Sequence, residues 1–256
     1  MTALIAGTHN SRDTGGTPLA DGGATRGGVL FRSDALFAVT EDGLRTIADG
    51  PIGAVVDFRT DAERADAPNR LPSSRPIRTV SLSLLEGAMA APRPEEMSPE
   101  AMREMMSRIP TLPDLYVAML EHGASAFADV ARLIARPAEP ERGGVLVHCT
   151  AGKDRTGVAT ALLLDVVGAE RAAVVADYAS SEANLAGEWA DRMLARAEEW
   201  GVPIVPAVTA LVTATPPAAI EAALGWVDAR GGAAAYLQDG GLTAAELDDL
   251  RGRLIG

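Results

Sequence analysis

Two residue types are nearly missing from this chain of 256 residues: it holds one cysteine, Cys149, and one lysine, Lys153, against 22 arginines. The single cysteine rules out an intramolecular disulfide and a thiolate-only zinc site. No apolar run approaches the ~20 residues needed to span a bilayer. The stretch Ala3 to Ala6 is too short for a secretory signal and lacks its basic flank, so the cytoplasm is the default location expected. Basic clusters are missing too. With 23 basic and 35 acidic side chains the net charge is −12, which leaves no electrostatic footprint for nucleic acid or for an anionic membrane surface. His9 and His122 stand without the companions that a metal site requires.

What is present is the balance of a globular protein, 47% apolar and 23% charged. The first half alternates strands with helices. Residues 29–32, 52–58, 77–82 and 145–148 read as strands, the last a continuous apolar run typical of a central strand covered on both faces. Thr40 caps a helix carrying Leu44 and Ile47, which Gly50-Pro51 stops. Residues 84–113 form a long insertion rich in methionine and proline. Ser98 and Pro99 would start a helix there, with Met102, Met105, Met106 and Ile109 at helical spacing. It reads either as a core helix or as a flexible apolar lid over a pocket. From Thr156 onward the pattern is almost wholly helical. Thr215-Pro216 starts one helix, and Thr243 to Glu246 is a capping box for the last, striped with Leu247, Leu250 and Leu254. The expectation is a single α/β domain over residues 1–256: a central, mostly parallel sheet flanked by helices, with a helical C-terminal half.

The only cysteine and the only lysine lie in one ten-residue stretch, His148-Cys149-Thr150-Ala151-Gly152-Lys153-Asp154-Arg155-Thr156-Gly157. If the strand ends at His148 and a helix begins near Arg155, the thiol sits at the bottom of a ring of backbone N–H groups. Such a ring, with the helix N-terminus, suits a tetrahedral dianion such as phosphate. Gly152 permits the close backbone approach, and Arg155 offers a planar fork to two oxygens at once. The same dipoles stabilise a thiolate, so Cys149 is expected to be ionised at neutral pH and to act as a nucleophile. A nucleotide-binding P-loop is excluded, because its required positions hold Val147 and Asp154.

The string HCTAGKDRTG resembles the Cys-x5-Arg signature of the protein tyrosine phosphatase superfamily, in the Ala-Gly-Lys-Asp-Arg form of the bacterial tyrosine/phosphoinositide phosphatases of triple-specificity type. Asn10 to Gly16, Leu30 to Ser33, Val56 to Glu63 and the C-terminal Ala233 to Leu237 and Gly241 to Thr243 are similar to further blocks of that family, so the resemblance runs from about residue 10 to the end. It implies a tyrosine phosphatase-like fold and hydrolysis of phosphotyrosine, with phosphoserine, phosphothreonine and phosphoinositides open. Inorganic phosphate is the product. It also implies Cys149 as nucleophile, Arg155 as phosphate clamp, and Thr150, Ala151, Gly152 and Lys153 as the substrate-binding loop. Thr156 would hydrogen-bond the thiolate, and His148 would hold the loop and help keep the cysteine ionised. Lys153 could contact a second anionic group. Neither metal nor cofactor is required, since arginine and backbone dipoles meet the transferring charge. Relatives include secreted effectors, so export without a signal peptide stays open.

The general acid is nominated three ways: Asp154 inside the loop, Asp57 at a strand end, and Asp114, 35 residues before the cysteine. Asp154 is favoured, with a plain helix cap as its alternative. Asp57, Arg59 and Glu63 read equally as a binding loop or as an ion-pair network propping up the active-site loop. Arg12 and Asp13 read as a structural ion pair at a Gly-Gly turn or as a second anion contact. The rival functions are a phosphoinositide phosphatase, or a phosphate-recognition module with little turnover.

Overall fold

The computed structural model describes residues 3–84, 98, 100, 104 and 110–255. Its centre is a sheet of β1 (Arg12–Asp13), β2 (Leu30–Ser33), β3 (Ile52–Asp57), β4 (Arg78–Ser81) and β5 (Gly144–His148). The order across it is β1-β2-β5-β3-β4; β1 runs antiparallel to β2 and every other pair is parallel. Each expected strand is present, displaced by at most one residue at an end. The last strand in sequence is therefore the middle one, and all its residues are buried. Side chains alternate between two covered faces, which is why β5 reads as an unbroken apolar run. Val145 and Val147 enter one core with Leu30 and Val56, while Leu146 enters the other with Phe31, Val55 and Ile47.

Helices α1 (Glu41–Asp49) and α2 (Asp61–Asp66) follow β2 and β3. Thr40 caps α1 by accepting from Gly43 N, and Thr60 with Glu63 forms a capping box on α2. The long helix α3 (Leu112–Ala135) buries Leu112, Tyr116, Leu120, Phe127 and Ile134 along one stripe. After β5 the chain is helical: α4 (Arg155–Asp165), α5 (Arg171–Leu185), α6 (Glu188–Glu199), α7 (Pro206–Thr213), α8 (Pro217–Asp228), α9 (Gly232–Asp239) and α10 (Ala244–Leu254). Thr243 and Glu246 make the expected capping box on α10. Among the described residues, no single helix is long and apolar enough to cross a membrane. The expected lid at 84–113 lies outside the described residues except for positions 84, 98, 100, 104 and 110–113.

Three parallel strands, β2, β5 and β3, end side by side, and their exits meet at one edge of the sheet. Ala35 N donates to Thr150 O at 3.1 Å and Phe58 N to His148 O at 2.9 Å, tying the three exits together.

Candidate active site

Cys149 follows β5 directly, and α4 opens at Arg155, so residues 150–154 must turn the chain within five positions. Gly152 makes the turn at φ +68°, where a Cβ would stand 2.3 Å from Ser33 O. Three consecutive carbonyls are held from outside: Thr150 O by Ala35 N, Ala151 O by Asn10 Nδ2 at 3.1 Å, and Gly152 O by Asn10 Nδ2 at 3.1 Å and Arg32 Nη2 at 2.7 Å. Across a trans peptide the N–H points opposite to its carbonyl, which turns the N–H groups of Ala151, Gly152 and Lys153 to the inner side. Gly152 N–H donates to Cys149 Sγ at 3.3 Å. The thiol thus lies inside the ring of donors, and it is buried.

Arg155 does not hang free. Its Nη1 and Nη2 donate to Glu63 Oε2 and Oε1 at 2.7 and 2.8 Å, with longer contacts to Phe58 O at 3.3 Å and Thr150 Oγ1 at 3.4 Å. Glu63 also accepts from Thr150 Oγ1 and from the amide of Thr60. Burial would raise the Glu63 carboxyl, but these donors, Arg155 foremost, outweigh it and hold it at about 2. The same pairing pushes the Arg155 guanidinium up against the opposing effect of burial. Glu63 therefore belongs with the loop arginine and not with Arg59.

Asp57 and Arg59 form a separate network. Arg59 Nη2 donates to Asp57 Oδ2 at 2.8 Å and to Asn69 Oδ1 at 2.9 Å, and Asn69 Nδ2 reaches Asp57 Oδ2 at 3.0 Å and His148 Nε2 at 3.1 Å. With Nε2 accepting, Nδ1 carries the proton and donates to Cys149 O at 3.2 Å. Burial drives the His148 imidazole down to about 4, so it is neutral at neutral pH. The expectation that His148 helps keep the cysteine ionised is corrected to this extent: it holds the Cys149 carbonyl and brings no charge. Asp57 is fully buried and its carboxyl is lowered, its bonds from Arg59 outweighing burial, which sets it aside as a proton donor to an incoming molecule.

Asp154 precedes α4 but makes no capping bond, so the helix-cap reading fails. Its Oδ1 accepts instead from Tyr116 OH at 2.6 Å and Lys153 Nζ at 2.9 Å. Tyr116 OH meets Tyr178 OH at 2.8 Å, the two rings packing edge to face. Asp114 is exposed and accepts from Thr111 Oγ1 at the start of α3. Two further expectations are corrected. Lys153 is buried, and its ammonium donates to Asp154 Oδ1, to Leu211 O at 2.8 Å and to Ala214 O at 3.2 Å. All three of its protons are matched, leaving no donor for a second anionic group. Thr156 Oγ1 is buried without a hydrogen-bond partner and so makes no bond to Cys149 here. Lys153 thereby clasps the end of α7 to the loop, and Ala151 packs against Leu185, Trp189 and Ala190 of α5 and α6.

Asn10, Arg32, Tyr116 and Asp177 carry much of this arrangement, and sequence reasoning gave them no role. One signal was available: Arg32 sits in an otherwise apolar strand, where a charge must find a buried partner. Arg12 pairs with Asp177 of α5 at 2.7 Å, while Asp13 accepts from Gly15 N and Gly28 N and so holds the N-terminal turn.

A model of the tyrosine phosphatase family matches residues 3–256 of the chain. A candidate tyrosine-protein phosphatase of Cupriavidus necator is 31% identical over 255 residues, spanning 96% of this chain and 85% of that one. A tyrosine-protein phosphatase of Nostoc commune is 36% identical over 134 residues, 52% of this chain and 41% of that one. The triple specificity protein phosphatase PtpB of Mycobacterium tuberculosis is 28% identical over 296 residues, 98% of each chain.

Proposed function

Since the chain belongs to the tyrosine phosphatase family, we propose that it hydrolyses phosphotyrosine monoesters through a phosphoryl-cysteine intermediate on Cys149. The observation that supports this most is the buried Cys149 thiol at the foot of the loop, with Gly152 N–H donating to its sulfur at 3.3 Å. In the first step the Cys149 thiolate forms an S–P bond as the P–O bond to the tyrosine oxygen breaks. Asp154 enters this step as the carboxylic acid, its Oδ1 fixed by Tyr116 and Lys153, and gives the proton on Oδ2 to that leaving oxygen. In the second step Asp154 takes a proton from water, the water oxygen bonds to phosphorus, and the S–P bond breaks to return the thiolate and inorganic phosphate. Arg155 exchanges its two long contacts, to Phe58 O and Thr150 Oγ1, for phosphoryl oxygens while Glu63 keeps the fork in plane.

Phosphoserine and phosphothreonine are proposed as further substrates on the likeness to the triple specificity relative. Phosphoinositides as the main substrate are the weaker reading, because it leaned on a free loop lysine and Lys153 Nζ is fully matched within the protein. A phosphate-release panel of phosphopeptides and phosphoinositides, with Cys149→Ser as blank, tests the order. Phosphotyrosine peptides are expected to be turned over fastest; a faster phosphoinositide would reverse the assignment.

A further inference from the structure

Behind the loop lies a buried ionic cluster that the chemistry above does not use. Arg32, with no exposed surface, pairs through Nη1 with Asp177 Oδ2 at 2.5 Å and donates through Nη2 to Gly152 O at 2.7 Å. Arg12 pairs through Nε with the other oxygen of the same Asp177 at 2.7 Å and donates to Asp177 O at 2.8 Å. Arg12 Nη1 also donates to the side-chain oxygen of Asn10, whose Nδ2 holds Ala151 O and Gly152 O. Ser181 Oγ accepts from both guanidiniums, at 3.3 and 3.4 Å. Asp177 is the only carboxylate paired with either arginine among the described residues, so two cations share one anion. The neighbouring Asp34 is occupied by the amides of His9 and Asn10.

An unmatched buried charge costs several kcal/mol and calls for an anion nearby. Burial first, and the adjacent Arg32 second, push the Arg12 guanidinium down to about 10. A clamp on the loop carbonyls alone would not need this arrangement, because Asn10 already reaches both of them. The surplus charge instead bears on the Gly152 peptide, whose carbonyl accepts from Arg32 and whose opposite end is the inward-facing Lys153 N–H. A donor on the carbonyl polarises the peptide and strengthens its N–H as a donor.

We propose that Arg12, Arg32 and Asp177 form a fixed positive charge behind the loop that strengthens its hold on a phosphate dianion, with Asn10 and Arg32 as positioning residues for the loop N–H groups. The proposal rests on the reading of residues 149–155 as a phosphate cradle. The bound dianion then completes the charge balance of the cluster.

Inorganic phosphate titrated calorimetrically into the Cys149→Ser protein, at fixed pH and ionic strength, tests it, with each added variant checked for folding by circular dichroism. Arg32→Met removes the surplus charge and is expected to weaken phosphate about tenfold. Asp177→Asn raises the surplus and is expected to tighten phosphate severalfold. Ser181→Asp places a second carboxylate between the guanidiniums and is expected to weaken phosphate while keeping the pairs intact, so the sign test survives if Arg32→Met fails to fold. A role confined to packing cannot produce opposite signs. Weaker or unchanged binding in Asp177→Asn, or unchanged binding in Ser181→Asp, overturns the proposal. Phosphate that does not bind the Cys149→Ser protein at all removes the cradle reading, and the proposal falls with it.

Discussion

Glu63 and Arg155 face each other as two planar forks, Oε2 to Nη1 at 2.7 Å and Oε1 to Nη2 at 2.8 Å, across the mouth of the loop that holds Cys149. The carboxylate also closes the capping box of α2, so one side chain fixes both a helix start and the orientation of the arginine.

Glu63→Gln is therefore expected to lower kcat/KM about 10- to 100-fold, mostly through KM, because a neutral amide aligns the guanidinium less firmly. Stability carries a second signature. Glu63 titrates at about 2 in the folded protein against an ordinary 4.5, so its contribution is full above 4.5 and is lost as pH falls toward 2. Denaturant unfolding of both proteins checks this: the wild-type advantage at pH 7, about 2–4 kcal/mol, should shrink below pH 4.5.

His148 gives a separate pH window. Its imidazole sits at about 4 when folded against 6.5 when free, so the unfolded chain binds the proton more tightly. The resulting stability is present above pH 6.5 and is lost as pH falls toward 4, by about 3 kcal/mol in all. Unfolding free energies at pH 7.5, 6 and 5 should fall for the wild type and stay flatter for His148→Gln. A wild-type curve without that decline would show an imidazole that protonates as easily folded as unfolded.

Asp154 and Tyr116 are expected to act as one unit. Asp154→Asn should slow aryl phosphates with poor leaving groups far more than those with good ones, because only the former need the proton. Tyr116→Phe removes the 2.6 Å bond that orients the carboxylate and should show the same pattern more weakly. Equal losses across all leaving groups in Asp154→Asn would move the acid elsewhere.

Gly152→Ala should disable the loop without touching a reactive group. At φ +68° a side chain is strained, and its Cβ would meet Ser33 O at 2.3 Å, so the turn must shift. The expected result is at least a 100-fold loss of kcat, with a destabilisation of about 2–4 kcal/mol. A variant with near-native activity would mean that the loop takes up the Cβ with ease.

The strands and the capped helices were legible because each rests on a local signal: an unbroken apolar run for β5, Thr40 and Thr243 for the caps. The loop was legible because its two rarest residues fall together. Its partners were not. Asn10 and Arg32 lie 120 or more positions from the loop carbonyls they hold, Arg32 lies 145 from Asp177, and no periodicity links them. Lys153 misled for a related reason: a lysine in an anion-binding loop suggests a free cation, whereas the matching carbonyls of Leu211 and Ala214 come from a helix end some sixty residues on. Glu63 stood beside Arg59 in sequence yet pairs with Arg155, because α2 turns its carboxylate back over the loop.

In the proposed reaction, phosphorus passes through the sulfur of Cys149. Rapid acid quench during turnover of a radiolabelled phosphotyrosine peptide, followed by peptide mapping, measures this directly. Label is expected on the wild-type peptide containing Cys149 and none on the Cys149→Ser protein, whose turnover falls below about 1% of wild type. Rapid turnover with no label on Cys149, or a Cys149→Ser protein that keeps substantial activity, would contradict it.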